Sequence, residues 1–252
     1  MLKSLTLITA LVCGSAAVAQ TVEVRTFRGL QQAEAQPEKV AVFDLAALDT
    51  LVALGVKPAG VIGNLYVDYL DKGVEGAEVV GSLFEPDFES IYALQPDLIL
   101  VGGRSSDQAE ALADFAPTLD MTIDGDDLVQ IALHRLEDYG HLFGKEAEAI
   151  ALRDSFLTKL EATKSLARGK GTALLIMTNG PKISAFGAMG RFGWLHSKLE
   201  VPQAAEGLGE NSHGEAISSE FIRDANPDYL FVVDRLSAIG QGGGRRQGDT
   251  RQ

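Results

Sequence analysis

Cysteine is nearly missing from this chain: Cys13 is the only one, and it stands among the first twenty residues. Beyond it there is neither disulfide nor thiolate, which excludes cysteine nucleophiles and thiol redox chemistry for the rest of the sequence. Positive charge is also scarce. Twenty-two Lys and Arg face 35 Asp and Glu, a net charge of −13, which argues against nucleic acid or an anionic membrane surface as the main partner. Catalytic signatures are missing too. The chain has no Gly-x-Ser-x-Gly, no Gly-x-x-x-x-Gly-Lys and no His-Glu-x-x-His, so the expectation is that it is not an enzyme.

What is present begins with an export signal. Lys3 supplies a positive start, residues 5–12 an apolar stretch, and Ala17-Val18-Ala19 a small-x-small cleavage site before Gln20. The stretch is too short for a mature spanning helix, which needs about 20 residues. Residues 1–19 are therefore read as a cleaved signal peptide. A lipoprotein would acylate Cys13, but Val12 before it is not small and the apolar stretch would be cut short. The length of 252 residues and the 46% hydrophobic content allow two soluble lobes with cores of their own.

One phrase occurs twice. Glu89-Ser90-Ile91 leads to Pro96-Asp97, an apolar run at 98–101 and Arg104. Glu220-Phe221-Ile222 leads to Pro227-Asp228, an apolar run at 229–232 and Arg235, each member 131 residues on. The spacing is too long for a solenoid. It suggests two similar lobes, each with a helix, a Pro-Asp break, a buried strand and an arginine past the strand's carboxyl end, where open α/β sheets bind ligands.

Strands are expected at 22–27, 40–43, 59–62, 78–80, 98–101 and 119–123. Helices are expected from Asp44 to Leu54, over 88–94 behind Asp87, over 105–115, and from Asp126 or Asp127 to Phe143. Gly144 breaks the pattern. Residues 145–167 have no Gly or Pro and predict one helix of about 34 Å, long enough to join two lobes. Beyond it, strands are expected at 172–178, 183–186 and 229–233, and helices at 192–199 and 218–225. The alternation implies an α/β fold with mostly parallel sheets. The domains expected are a 20–143 N-terminal lobe, a 144–167 inter-lobe helix, a 168–239 C-terminal lobe and a disordered 240–252 tail without apolar residues. A second lobe that short is expected to be marginal and to expose a sheet edge.

Arg104 and Arg235, with Arg191 in the glycine-rich turn 187–193, are candidate anion ligands. Guanidinium offers forked donors and keeps its charge. Taken singly, each is equally a solvated loop arginine. Trp194 is a candidate flat wall of the same site, or a core residue. His134 and His141, seven residues apart on one helix, lie about 10 Å apart along its axis and read as structural, as does His196. His213, in a polar loop, is the one histidine placed as a ligand would be. Glu89 and Glu220 each begin a short helix, where the dipole favours a carboxylate. They also offer one acidic knob per lobe for a partner.

The export signal, the single long helix, Phe84-Glu85-Pro86-Asp87-Phe88-Glu89 before Pro96-Asp97, and Ser212-His213-Gly214-Glu215 before Glu220 together resemble the periplasmic binding proteins of ferric-siderophore ABC importers. The subgroup taking catecholates such as petrobactin is the most similar. The resemblance covers residues 22 to about 240. It implies two Rossmann-like lobes on a rigid helix, a carrier acting as a monomer, and a ferric siderophore as ligand with no intrinsic cofactor. Arg104, Arg191 and Arg235 would contact the catecholate oxygens, His213 would be a candidate iron ligand, and Glu89 and Glu220 would meet the importer's membrane subunits. Cobalamin and haem carriers share the fold and remain alternatives. Family members continue past the segment matching 235–240 with a tyrosine that partners the histidine on iron. The Gly/Arg/Gln tail stands there instead, so a C-terminally truncated or frameshifted product, even a non-functional remnant, is also an expectation.

Overall fold

The structure, a computed structural model, describes residues 20–125, 127–209 and 213–241. The expected leader with Cys13, the alternative cap Asp126 and the tail from 242 onward lie outside the described residues.

The chain opens with an antiparallel hairpin, β1 (Thr21–Thr26) and β2 (Gly29–Glu34). Strands and helices then alternate: β3 (Val40–Val42), α1 (Leu45–Ala53), β4 (Gly60–Val61), β5 (Glu78–Val79), α2 (Phe88–Leu94), β6 (Leu98–Val101), α3 (Ala109–Leu112), β7 (Thr118–Asp120) and α4 (Leu128–Phe143). A 3-10 turn, Asp68–Val74, lies between β4 and β5. Strands β3 to β7 form one five-stranded parallel sheet in the order β5-β4-β3-β6-β7. Both faces of β3 and β6 are covered, which is why these strands are apolar throughout rather than alternating. The strand order reverses between β3 and β6, so the crevice beyond their carboxyl ends is the place where such a sheet holds a ligand.

The second half comprises α5 (Glu146–Ala167), β8 (Ala173–Asn179), β9 (Lys182–Phe186), α6 (Trp194–Ser197), β10 (Glu215–Ala216), α7 (Ser219–Ala225), β11 (Tyr229–Asp234) and α8 (Arg235–Ala238). Its four-stranded sheet runs β10-β9-β8-β11. Only β8 and β11 are parallel there, so the expectation of mostly parallel sheets holds for the first half alone. The reason is local: Gly180, at φ 60°, closes a two-residue turn that sends β9 straight back along β8.

Helix α5 spans about 33 Å and touches both halves. Ala149 and Leu152 pack into the core under the first sheet, and Leu160 packs with Ala173, Leu175 and Phe186 of the second. Of its residues only Ala149 is buried.

The repeated phrase has a common mechanical basis. Helices α2 and α7 start under Asp87 and Ser218, whose side chains accept backbone N–H groups, and end at left-handed Gln95 and Asn226. Asp97 then accepts the N–H groups of Glu38 and Lys39, just ahead of β3. Asp228 accepts the Thr172 N–H at 2.7 Å, just ahead of β8. In each half the Pro-Asp aspartate fastens an incoming strand to the central strand beside it.

Two expected helices shorten. The 105–115 segment breaks into a 3-10 turn, Ser106–Gln108, and α3, because the buried Ser105 hydroxyl turns back to the Phe43 carbonyl at 2.8 Å. The 192–199 segment keeps only α6. Gly193 there lies so close to the Ala188 carbonyl that a side chain has no room, and Phe192 belongs to the turn rather than to the helix.

Candidate functional site

Beyond the carboxyl ends of β3 and β6, two short segments approach each other. Asp44 follows β3 and caps α1 through the Ala47 N–H at 2.8 Å. Gly102-Gly103-Arg104 follows β6. A Cβ on Gly102 would come within 3.0 Å of the Asp44 carboxyl and 3.2 Å of the Thr122 nitrogen, and Gly103 sits at φ +50°. Both glycines are there because the turn is pressed between α1 and the loop after β7. Arg104 projects from that turn.

A cavity of about 1070 Å³ opens here, lined from the first half by Asp44, Gly103, Arg104 and Asp124 and from the second by Lys182, Arg191, His213 and Arg235. Met177, Met189 and Phe186 give it apolar wall. Three guanidiniums foreseen from the sequence thus share one hollow. None of the three has an acid within ion-pair distance among the described residues. Arg191 lies 5.6 Å from the centroid of the Phe192 ring, which in turn meets Phe186 edge-on at 4.9 Å. Arg235 is the first residue of α8, under an Asp234 cap that accepts the Leu236 and Ser237 N–H groups.

His213 lines the same cavity. Trp194 does not: it begins α6 and is 41% exposed. Lys182, at the start of β9, is a fourth cation that sequence reading passed over. Its only signal was its place one residue after the Gly180-Pro181 turn. Asp44 was read as a helix cap and nothing more. Its carboxyl is pushed above the ordinary aspartate range, mainly by burial.

The remaining histidines are engaged elsewhere. His134 meets Gln130, His141 lies 3.7 Å from Glu146, and His196 Nδ1 lies 2.7 Å from the Val201 carbonyl. Among the described residues no three His, Cys, Asp or Glu side chains converge as a metal cage. Glu89 and Glu220 stand away from the cavity, exposed, each the second residue of its helix. The Glu220 carboxyl is held below its usual range by its own backbone N–H and by Ser218.

Two α/β sheets with a cationic cavity between them define a solute-binding protein. Residues 40–250 match the periplasmic binding protein family, and the chain belongs to it. It is 36% identical over 217 residues to the petrobactin-binding protein YclQ of Bacillus subtilis, covering 84% of this chain and 68% of that one. It is 32% identical over 211 residues to the ferric-anguibactin-binding protein FatB of Vibrio anguillarum, covering 81% and 66%. The chain thus spans about two thirds of the length of these two relatives. Among solved structures, the periplasmic catecholate-siderophore binding protein VctP of Vibrio cholerae superimposes with a TM-score of 0.82 at 31% identity, over 90% of this chain and 82% of that one.

Proposed function

We propose that this protein captures an anionic ferric siderophore of the catecholate type in its cavity and delivers it to an ABC importer. The observation that carries the reading is the convergence of Arg104, Arg191 and Arg235 on one hollow, none of them ion-paired among the described residues. Three permanent positive charges in one hollow of a net acidic protein suit a ligand with several negative oxygens. Such a lining favours a polyanionic chelate over cobalamin or haem. The names of YclQ, FatB and VctP support the same ligand class.

In this reading residues 20–143 and 168–239 act as two lobes on the 144–167 helix, and the iron arrives already wrapped by its chelator. His213, which lines the cavity, would take a coordination site that the chelator leaves open. Glu89 and Glu220, one on each lobe, dock on the importer's membrane subunits. The chain works as a monomer in the periplasm, released by cleavage after Ala19. Mass spectrometry of the mature amino terminus tests that last point, since acylated Cys13 would contradict it.

The deciding experiment is calorimetric titration of the folded protein with ferric petrobactin, ferric citrate and haem. Saturable binding of the ferric catecholate at micromolar concentration or below, with weaker binding of the others, is expected. A folded protein that ignores every ferric chelate would end the proposal.

A further inference from the structure

We infer that Thr122 is a positioning residue for ligand capture: with Asp120 it fixes the glycine turn from which Arg104 enters the cavity. The inference rests on the proposed function, and in particular on Arg104 as a ligand contact.

Arg104 is exposed and has no ion pair among the described residues, so nothing at its tip holds it in place. Its backbone is held instead, from two sides. On one side the Gly102 N–H donates to Ser105 Oγ at 3.1 Å, and that fully buried hydroxyl donates to the Phe43 carbonyl of the β3 end at 2.8 Å. On the other side the Gly103 N–H donates to Thr122 Oγ1 at 2.8 Å. Thr122 Oγ1 in turn donates to Asp120 Oδ1 at 2.6 Å, and the Thr122 N–H reaches the same oxygen at 3.2 Å. Asp120 has a side chain with no exposure, and its other oxygen accepts Ser106 Oγ at 2.5 Å and Arg28 Nε at 3.1 Å. Burial alone would raise this carboxyl, but its four donors outweigh that and hold it below the ordinary range.

Asp120 is thus a fixed, ionised anchor at the end of β7, and Thr122 is the link between it and the residue preceding Arg104. A hydroxyl in this place has a directional job. It must donate to the carboxylate and accept from the Gly103 N–H at once, which an isosteric valine cannot do. Losing the link frees a turn already at φ +50°, so the ordering of Arg104 would have to be supplied when ligand binds. The second half solves the same problem differently: Arg235 is held by the Asp234 cap at the start of α8.

The test is a double-mutant cycle on the full chain, read by calorimetry with ferric petrobactin. Thr122→Val should weaken binding about fivefold, the worth of the single hydrogen bond that holds the Gly103 N–H and with it the turn. Thr122→Ser, which keeps the hydroxyl, should bind as the parent does. In the Arg104→Ala background Thr122→Val should cost nothing more. Equal loss in both backgrounds would mark Thr122 as a general structural residue and overturn the inference, as would parental affinity in Thr122→Val. Arg104→Ala binding like the parent would overturn it together with the ligand-contact role of Arg104. A parent protein that binds no ferric chelate fails earlier, at the proposed function, and takes this inference with it.

Discussion

Lys198 Nζ lies 2.5 Å from Asp127 Oδ2, while the other oxygen of that carboxylate caps α4 through the Gln130 N–H at 3.0 Å. One side chain therefore starts a helix in the first half and binds it to the second. Leu128, the next residue, lines the cavity, so the tie sits at the edge of the candidate site. Within the second half, Lys164 Nζ meets Glu200 at 2.7 Å and fastens the far end of α5 to the segment after α6.

The Asp127 tie should be visible as a pH-dependent stability term. Lys198 and the Gln130 N–H hold the Asp127 carboxyl below the ordinary aspartate value of 3.8. A carboxyl with a depressed folded pKa adds stability above its unfolded value and loses it as pH falls through the folded one. Lys198→Met should therefore lower stability at pH 6 by less than about 1 kcal/mol, since both groups are partly exposed. The difference from the parent should shrink below about pH 3.8 and vanish in stronger acid. Urea titrations at pH 6 and pH 3 check this, and a constant difference at both would refute it.

Removing single guanidiniums separates charge recognition from shape. Arg104→Ala and Arg235→Ala should each weaken ferric petrobactin binding by about tenfold to a hundredfold, the range for hydrogen bonds to charged groups. The parent's affinity should also fall as salt rises. Calorimetry at two ionic strengths reads both effects, and salt-independent binding would contradict the role given to the arginines.

Much of this was legible because it is written locally. Asp87 caps α2 through the Glu89 and Ser90 N–H groups beside it, so that cap, the Pro-Asp breaks and the apolar strands behind them could be read directly. What Asp97 and Asp228 hold could not, because Glu38, Lys39 and Thr172 lie far away along the chain. The sharing of one hollow by Arg104, Arg191 and Arg235 was inferred from a topological rule, not from contacts. Lys182 and Asp44 escaped notice as cavity residues because their position depends on how the two sheets face each other, which no local pattern records. Trp194, read from the glycines around it as a wall of the site or else a core residue, lines no part of the cavity and is 41% exposed. Strand β10 has two residues, too few for alternation to register.

Uptake and binding should come apart at the acidic pair. Glu89→Ala combined with Glu220→Ala should leave calorimetric affinity unchanged, since neither residue lines the cavity. Iron uptake by cells dependent on this carrier should fall at least about tenfold if each carboxylate engages a basic site on the importer, because two docking contacts reinforce one another. Unchanged uptake would remove the docking role.

A buried charge in the first half predicts a strongly coupled pair. Arg25 Nε reaches both oxygens of Asp138, at 2.9 and 3.1 Å, and the Asp138 side chain is only 4% exposed. This contact clamps the β1–β2 hairpin to α4. Arg25→Met should cost about 3 kcal/mol, because it leaves a buried carboxylate without its partner. Adding Asp138→Leu should recover much of the loss, since an apolar pair removes the stranded charge. Chemical denaturation of the two single variants and the double variant measures this, and strictly additive losses would count against it.

Among the described residues β11 pairs with β8 on one side only and stands at the edge of its sheet. Tyr229, Leu230, Phe231 and Val232 along it are 44–54% exposed. The Tyr229 N–H goes to the Thr172 carbonyl, so by the alternation of a parallel ladder the backbone groups of Leu230 and Val232 face outward. An uncharged, apolar run of strand whose outward donors and acceptors have no partner strand among the described residues is the kind of edge that recruits other chains, and it carries neither lysine nor proline to prevent this. Val232→Lys should therefore reduce concentration-dependent light scattering of the protein. It should change thermal stability by no more than about 0.5 kcal/mol, because the side chain it replaces is more than half exposed. Scattering that is unchanged by the lysine would show that another surface drives association.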